Sequence, residues 1–150
     1  MNNLEEIRDE VIRRGFPELM TENISIKYTQ LKDAFLYCND FPKNGHHIKV
    51  DEELGNSPRE VLIGGVAHEF AHLVDAEKRN TKGKVVDYIL YNYLRTYRIA
   101  VERDTDLQAI MRGFGTELLA FLKYTEKLEP HDEEHGLSAR EVEAILLAKR

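Results

Sequence analysis

The densest chemistry in the chain lies in Val66-Ala67-His68-Glu69-Phe70-Ala71-His72-Leu73-Val74. Two histidines four apart on a helix project from one face, so His68 and His72 can share a metal ion. Glu69 stands beside them and can reach a water at that ion without becoming a ligand. This is the His-Glu-x-x-His pattern of two ligands plus a general base. With 6 His and 18 Glu in 150 residues, composition alone would place it about 0.03 times in such a chain. Glu69 is also the only charged residue between Leu62 and Val74. Leaving two imidazoles and a carboxylate unpaired on so apolar a helix would cost several kcal/mol. The plainer alternative is a structural His pair satisfied by hydrogen bonds.

A catalytic zinc usually takes three protein ligands and keeps one position for water. The downstream candidates are Asp75, Glu77, Glu102, Asp104, Asp106, His131 and His135. Asp75 and Glu77 share the helix of His72, and Asp75 turns toward a neighbouring face, where a supporting or capping role suits it. Glu102 and Asp106 form the better pattern. At i and i+4 they bring a ligand carboxylate and an orienting carboxylate together. A metal-bound His donates its other N–H to an outer acceptor, a natural task for Asp106. Asp104 is expected in solvent. His131-Asp132-Glu133-Glu134-His135 formally matches the inverted motif. Pro130 and Gly136 bracket it, however, so a solvated loop is expected, folding over the cleft to supply an oxyanion donor or to block access.

The elements that must position these residues follow from periodicity. Leu4, Ile7, Val11 and Ile12 mark a helix ending at Gly15. Ile24 to Thr29 alternates as a half-buried strand, and Ala34 to Asn39 reads as a more buried one. Asp40 to Gly45 has turn chemistry, with Asn44-Gly45 as a hairpin dipeptide. His46 to Val50 alternates again, with Ile48 and Val50 on one face and His46 and His47 expected at the surface. Ser57-Pro58-Arg59-Glu60 predicts a capping box with proline in the first helical position, opening a helix to about Arg79. Lys84 to Arg112 reads as one long helix, Gly113 and Gly115 interrupt, and another helix runs from about Thr116 to Leu128. Ser138-Ala139-Arg140-Glu141 is a second capping box, opening a helix to Ala148. Gly64-Gly65 predicts a close approach of another element behind the motif. Tyr88, Tyr91, Tyr93 and Tyr97 read as packing residues, with one of them able to face the metal as a donor. The order is α+β, strands first, in a single domain over residues 1–150, with a small antiparallel or mixed sheet.

His68-Glu69-x-x-His72 followed by Glu102-x-x-x-Asp106 resembles the gluzincin metallopeptidases, the thermolysin-like clan, and the single-domain size is similar to that of the minigluzincins. The likeness covers about residues 46–110. It implies a zincin-like fold with an active-site helix and a glutamate helix behind it. It implies one zinc per chain, held by His68, His72 and Glu102, with Asp106 holding a ligand His. It further implies an edge strand, His46–Asp51, that pairs with an extended peptide or protein substrate. The 29 residues between His72 and Glu102 exceed the spacing of thermolysin-type enzymes, and Val101 stands where those have asparagine. The leading expectation is a zinc-dependent peptidase with Glu69 as general base. The alternative is a latent or non-catalytic zinc-binding regulatory protein, with 129–150 as a detachable segment in its own cleft.

Composition narrows the rest. With 42% hydrophobic and 32% charged residues, the chain is no disordered polymer, collagen-like repeat or disulfide-framed mini-protein. A net charge of −6 argues against nucleic acid and anionic membranes as partners. The single cysteine, Cys38, reads as a plain buried thiol and favours a reducing compartment. MNNLEEIRDEVIRR lacks the apolar core of a signal peptide, and no run approaches 18 apolar residues, so the expected location is the cytoplasm.

Overall fold

The computed structural model describes residues 1–39 and 44–150, so the predicted turn residues 40–43 lie outside the described residues. Helix α1 (Leu4–Gly15) begins where the Asn3 side chain accepts from the N–H groups of Glu5 and Glu6. It buries Leu4, Ile7 and Val11, the stripe that the spacing predicts. Strands β1 (Ile24–Thr29), β2 (Leu36–Cys38) and β3 (His46–Asp51) follow and pair in the order β1-β3-β2. The sheet is mixed. β3 runs parallel to β1, with Ile26 opposite Ile48, and antiparallel to β2, with Leu36 opposite Val50.

This order overturns one expectation. His46–Asp51 is the central strand, with backbone groups engaged by neighbours on both sides, and cannot pair with a substrate; β2 is an edge. Ile48 and Val50 are 1% and 0% exposed, so the strand with the deepest side chains takes the position flanked on both sides. His46 shares their face by the two-residue period of a strand and is buried with them rather than exposed, whereas His47 faces solvent as expected. Gly45 takes a left-handed conformation (φ 85°) that admits a close pass by Asn23, whose carbonyl accepts from His46 N–H at 2.8 Å.

The helices refine the reading further. Helix α2 (Arg59–Glu77) starts where predicted, but without the capping box. Ser57 is drawn inward, its hydroxyl donating to Leu54 O at 2.8 Å, and Pro58 becomes the cap residue rather than the first helical one. The long helix predicted from Lys84 to Arg112 is two, α3 (Thr81–Tyr93) and α4 (Arg95–Ala109), broken at an extended Leu94. The break lets α3 fold back on α4, where the Arg98 guanidinium donates to Tyr91 O (2.8 Å) and Tyr97 OH to Asp87 (2.5 Å). A π-helical turn, Ile110–Phe114, with Gly113 at φ 93°, then leads into α5 (Gly115–Leu128), the interruption that the two glycines predict. Helix α6 (Ala139–Ala148) carries the expected Ser138–Glu141 capping box in both directions.

α2 is the axis of the molecule. It packs against α1, α4, α5 and β2, and from Val61 to Ala67 every residue is buried, as suits a helix covered on several sides. A Cβ on Gly64 would sit 2.2 Å from Glu117 O of α5, so the glycine permits the close approach that its pairing with Gly65 suggests. Phe70 of α2 meets Phe16 edge-on at 5.6 Å, and Phe16 stacks on Phe114 at 5.8 Å. Buried apolar residues from Leu4 to Val142 join in one cluster, to which α6 contributes Ala139 and Val142. Among the described residues no helix is long and apolar enough to cross a membrane.

Candidate metal centre

α2 and α4 cross with their polar residues facing one another. From α2 come His68 and His72, whose rings lie 4.8 Å apart at 80°, and from α4 comes Glu102, buried at 7% exposure. His68 Nε2 is 3.1 Å from Glu102 Oε2, and His72 Nε2 is 3.1 Å from Glu102 Oε1. One donor atom from each of the three lies within 4.8 Å of the others, and this is the group that could hold a metal ion among the described residues. Two donors about 2.1 Å from a tetrahedral ion sit roughly 3.4 Å apart, so the observed separations suit such an ion.

Each imidazole is turned by an acceptor at its other nitrogen. His68 Nδ1–H donates to Asp106 Oδ1 at 2.7 Å, the role that sequence spacing assigns to Asp106. Asp106 is 1% exposed, and its second oxygen accepts from Leu137 N–H at 2.8 Å. His72 Nδ1 meets Thr105 Oγ1 at 3.3 Å; the hydroxyl hydrogen goes to Val101 O at 2.8 Å, leaving the oxygen to accept. Both Nε2 atoms therefore carry lone pairs toward Glu102 when the imidazoles are neutral. Thr105 and Leu137 are supports that sequence reasoning missed. Thr105 had a signal, because Glu102, Thr105 and Asp106 share one helical face. Leu137 acts through its backbone, which no side-chain pattern reveals.

Electrostatics bind the group together. Burial lowers the basicity of the His68 imidazole, but Asp106 and Glu102 outweigh it and hold the ring well above its ordinary value. Burial acts likewise on His72, where Glu102 reverses the shift. Burial would raise the Glu102 carboxyl, yet the two imidazoles pull it far below the usual range. Tyr91 of α3 is the tyrosine at the centre, its hydroxyl donating to Glu102 Oε1. Burial and the Glu102 charge push that hydroxyl far above its normal value, so it remains a donor.

The centre opens into a cleft of about 560 Å3 whose wall includes Glu69, Tyr91, β2 and the loop around His131 and His135. Glu69 is half-buried there, beside the ligand group rather than within it. Asp75 pairs with Arg79 at 2.6 Å, and Asp104 is exposed, as expected. Glu77 lies against His46 at 3.4 Å, outside the centre. His131 and His135 line the cleft without joining the ligand group. Cys38 is half-buried on the same wall. Compared with known proteins, the chain matches no protein-family model, no curated protein and no solved structure.

Proposed function

We propose that the chain is a zinc-dependent peptidase of the zincin type, with His68, His72 and Glu102 as ligands. One observation carries this reading. Two Nε2 atoms, each oriented by its own acceptor, converge on a buried carboxylate at the edge of a cleft that also presents Glu69. Zinc held there would supply Lewis acidity toward a carbonyl oxygen and lower the pKa of water toward about 7. Glu69 takes a proton from the attacking water and passes it to the amine nitrogen as the peptide bond breaks. Asp106 and Thr105 keep both imidazoles in register, and the Tyr91 hydroxyl restrains Glu102. β2, the outer strand on this side of the described sheet, lines the cleft and is the place for an extended substrate, the role that the resemblance assigns to His46–Asp51. A single cysteine suits a reducing compartment such as the cytoplasm.

Metal content by mass spectrometry, read together with casein hydrolysis, tests the proposal. The wild type and Glu69→Gln should each hold about one zinc per chain, Glu102→Ala much less, and only the wild type should hydrolyse. A wild type that takes up no zinc, or a Glu69→Gln variant with undiminished turnover, overturns it.

A latent form has its own support, because Pro130, His131, Glu134 and His135 line the cleft. Truncation after Leu128 separates the two readings. Gain of casein cleavage marks a blocking segment. Loss of zinc marks a structural one, since the cut removes the N–H that Asp106 accepts.

A further inference from the structure

Among the described residues lining the cleft, carboxylates outnumber Lys and Arg by ten to three, while the rest of the sequence is balanced at 17 acidic to 18 basic. The net charge of −6 is thus concentrated in one concave wall. Glu69, Glu102 and Asp106 belong to the metal centre, where an ion offsets them. Of the seven others, Asp75 and Asp87 pair with Arg79, and Glu134 with Arg95 and Arg98, while Glu77 has only the distant Lys84 and His46 beside it among the described residues. A cleft lined by one sign of charge focuses the field and concentrates ligands of the opposite sign.

One end of this wall has a built feature. His46 heads the central strand at 6% exposure, and its Nδ1 is buried with no hydrogen-bond partner. Its Nε2 lies 3.4 Å from Glu77 Oε1, on the last residue of α2, and 3.9 Å from Glu22 Oε2, in the segment before β1. With Nε2 turned to the two carboxylates, Nδ1 on the other edge of the ring stays buried without a partner, at a cost in free energy. Lys84 Nζ sits 3.9 Å from the same Glu77 oxygen. A cation is already drawn to the spot, in a partly exposed pair of the weak kind that another cation can displace.

We propose that Glu22 and Glu77, backed by His46, receive a cationic group of a bound peptide, an ammonium or a guanidinium, so that the cleft selects basic segments. The assignment rests on the peptidase reading, which makes the ligand a peptide. The acidic wall steers such a segment toward the centre, and displacement of Lys84 frees Glu77 to bind it.

Binding is measured on the full-length chain carrying Glu69→Gln, with and without added zinc, by anisotropy of short peptides labelled at the C-terminus. Three are N-acetylated and carry Lys, Gln or Glu at alternate positions; a fourth is the Gln peptide with a free N-terminus. The Lys peptide should bind at least about tenfold tighter than its Gln counterpart, the Glu peptide more weakly, and the margin should shrink in high salt. Glu22→Gln with Glu77→Gln, both at partly exposed positions, should cut the Lys-to-Gln ratio about fivefold. If instead the free-amine Gln peptide gains the affinity and the double variant removes that gain, the cation is the N-terminal ammonium and the site stands. Equal binding of all four, no binding, or a preference that survives the double variant overturns the proposal. Charge-selective binding without hydrolysis by the zinc-loaded wild type removes the peptidase reading and leaves the cation site. Hydrolysis without charge preference removes the cation site alone.

Discussion

α2 and α3 line the same cleft and are held in opposite ways. α2 buries 11 of its 19 residues, and its two histidines ride on a helix clamped from several directions. α3 buries none of its 13 residues and leaves Val85, Val86, Ile89 and Tyr93 exposed. Polar ties to its neighbours restrain it, chiefly Tyr91 to Glu102, Arg98 to Tyr91 O and Tyr97 to Asp87. The difference follows from what each must place. Two imidazoles that must both meet Glu102 tolerate little drift, which dense packing prevents. A hydroxyl that restrains a carboxylate can sit on a helix of low local stability.

The largest blow to that contrast is Gly64→Val. Its side chain would drive into Glu117 O of α5, and a loss of about 3 kcal/mol is expected. Thermal melting should then fall by roughly 6–12 °C; an unchanged midpoint would show that α2 is not clamped. Asp106→Asn comes next. The variant keeps an oxygen for His68 but turns an amide N–H toward Leu137 N–H. Zinc affinity, followed by competition with a chelator, should drop about 10–100-fold.

The third test is pH. In the metal-free chain the raised His68 contributes stability that is complete below about 6.5, its unfolded value, and is lost as pH climbs through the raised folded value. The lowered Glu102 contributes stability that is complete above about 4.5 and is lost as pH falls through its depressed value. Metal-free melts should therefore peak between these limits and decline on the alkaline side. Zinc needs neutral imidazoles, so it should remove that decline; a metal-free chain equally stable at pH 6 and pH 9 would contradict the charged pairing. The smallest effect belongs to Ile89→Ala on α3, within about 0.5 kcal/mol by denaturant titration. A loss several times larger would mean that α3 is as firmly packed as α2.

Much of this architecture is legible in local pattern alone. His68, Glu69 and His72 on one helix, Glu102 and Asp106 one turn apart, the glycine pair and the Ser138 capping box all stand where spacing puts them. Each depends on spacing within one element, and helical periodicity transmits spacing directly. The departures share the opposite origin. Ser57 satisfies a neighbouring turn instead of its own helix, and Leu94 breaks a continuous period because α3 gains contacts by folding back. His46 is buried where Glu22 and Glu77, both distant along the chain, come against its ring.

The sequence by itself determined which side chains can meet a metal ion, because helix geometry places residues i and i+4 on one face wherever the helix lies. The tertiary structure alone decided that β3 is central and β2 an edge, that Tyr91 rather than another tyrosine reaches Glu102, and that Thr105 braces His72 while Leu137 braces Asp106. It also gathered into one wall carboxylates that the chain scatters from Asp33 to Glu134. Such pairings join residues far apart along the chain, and only packing of the whole core selects among the many ways to close those loops.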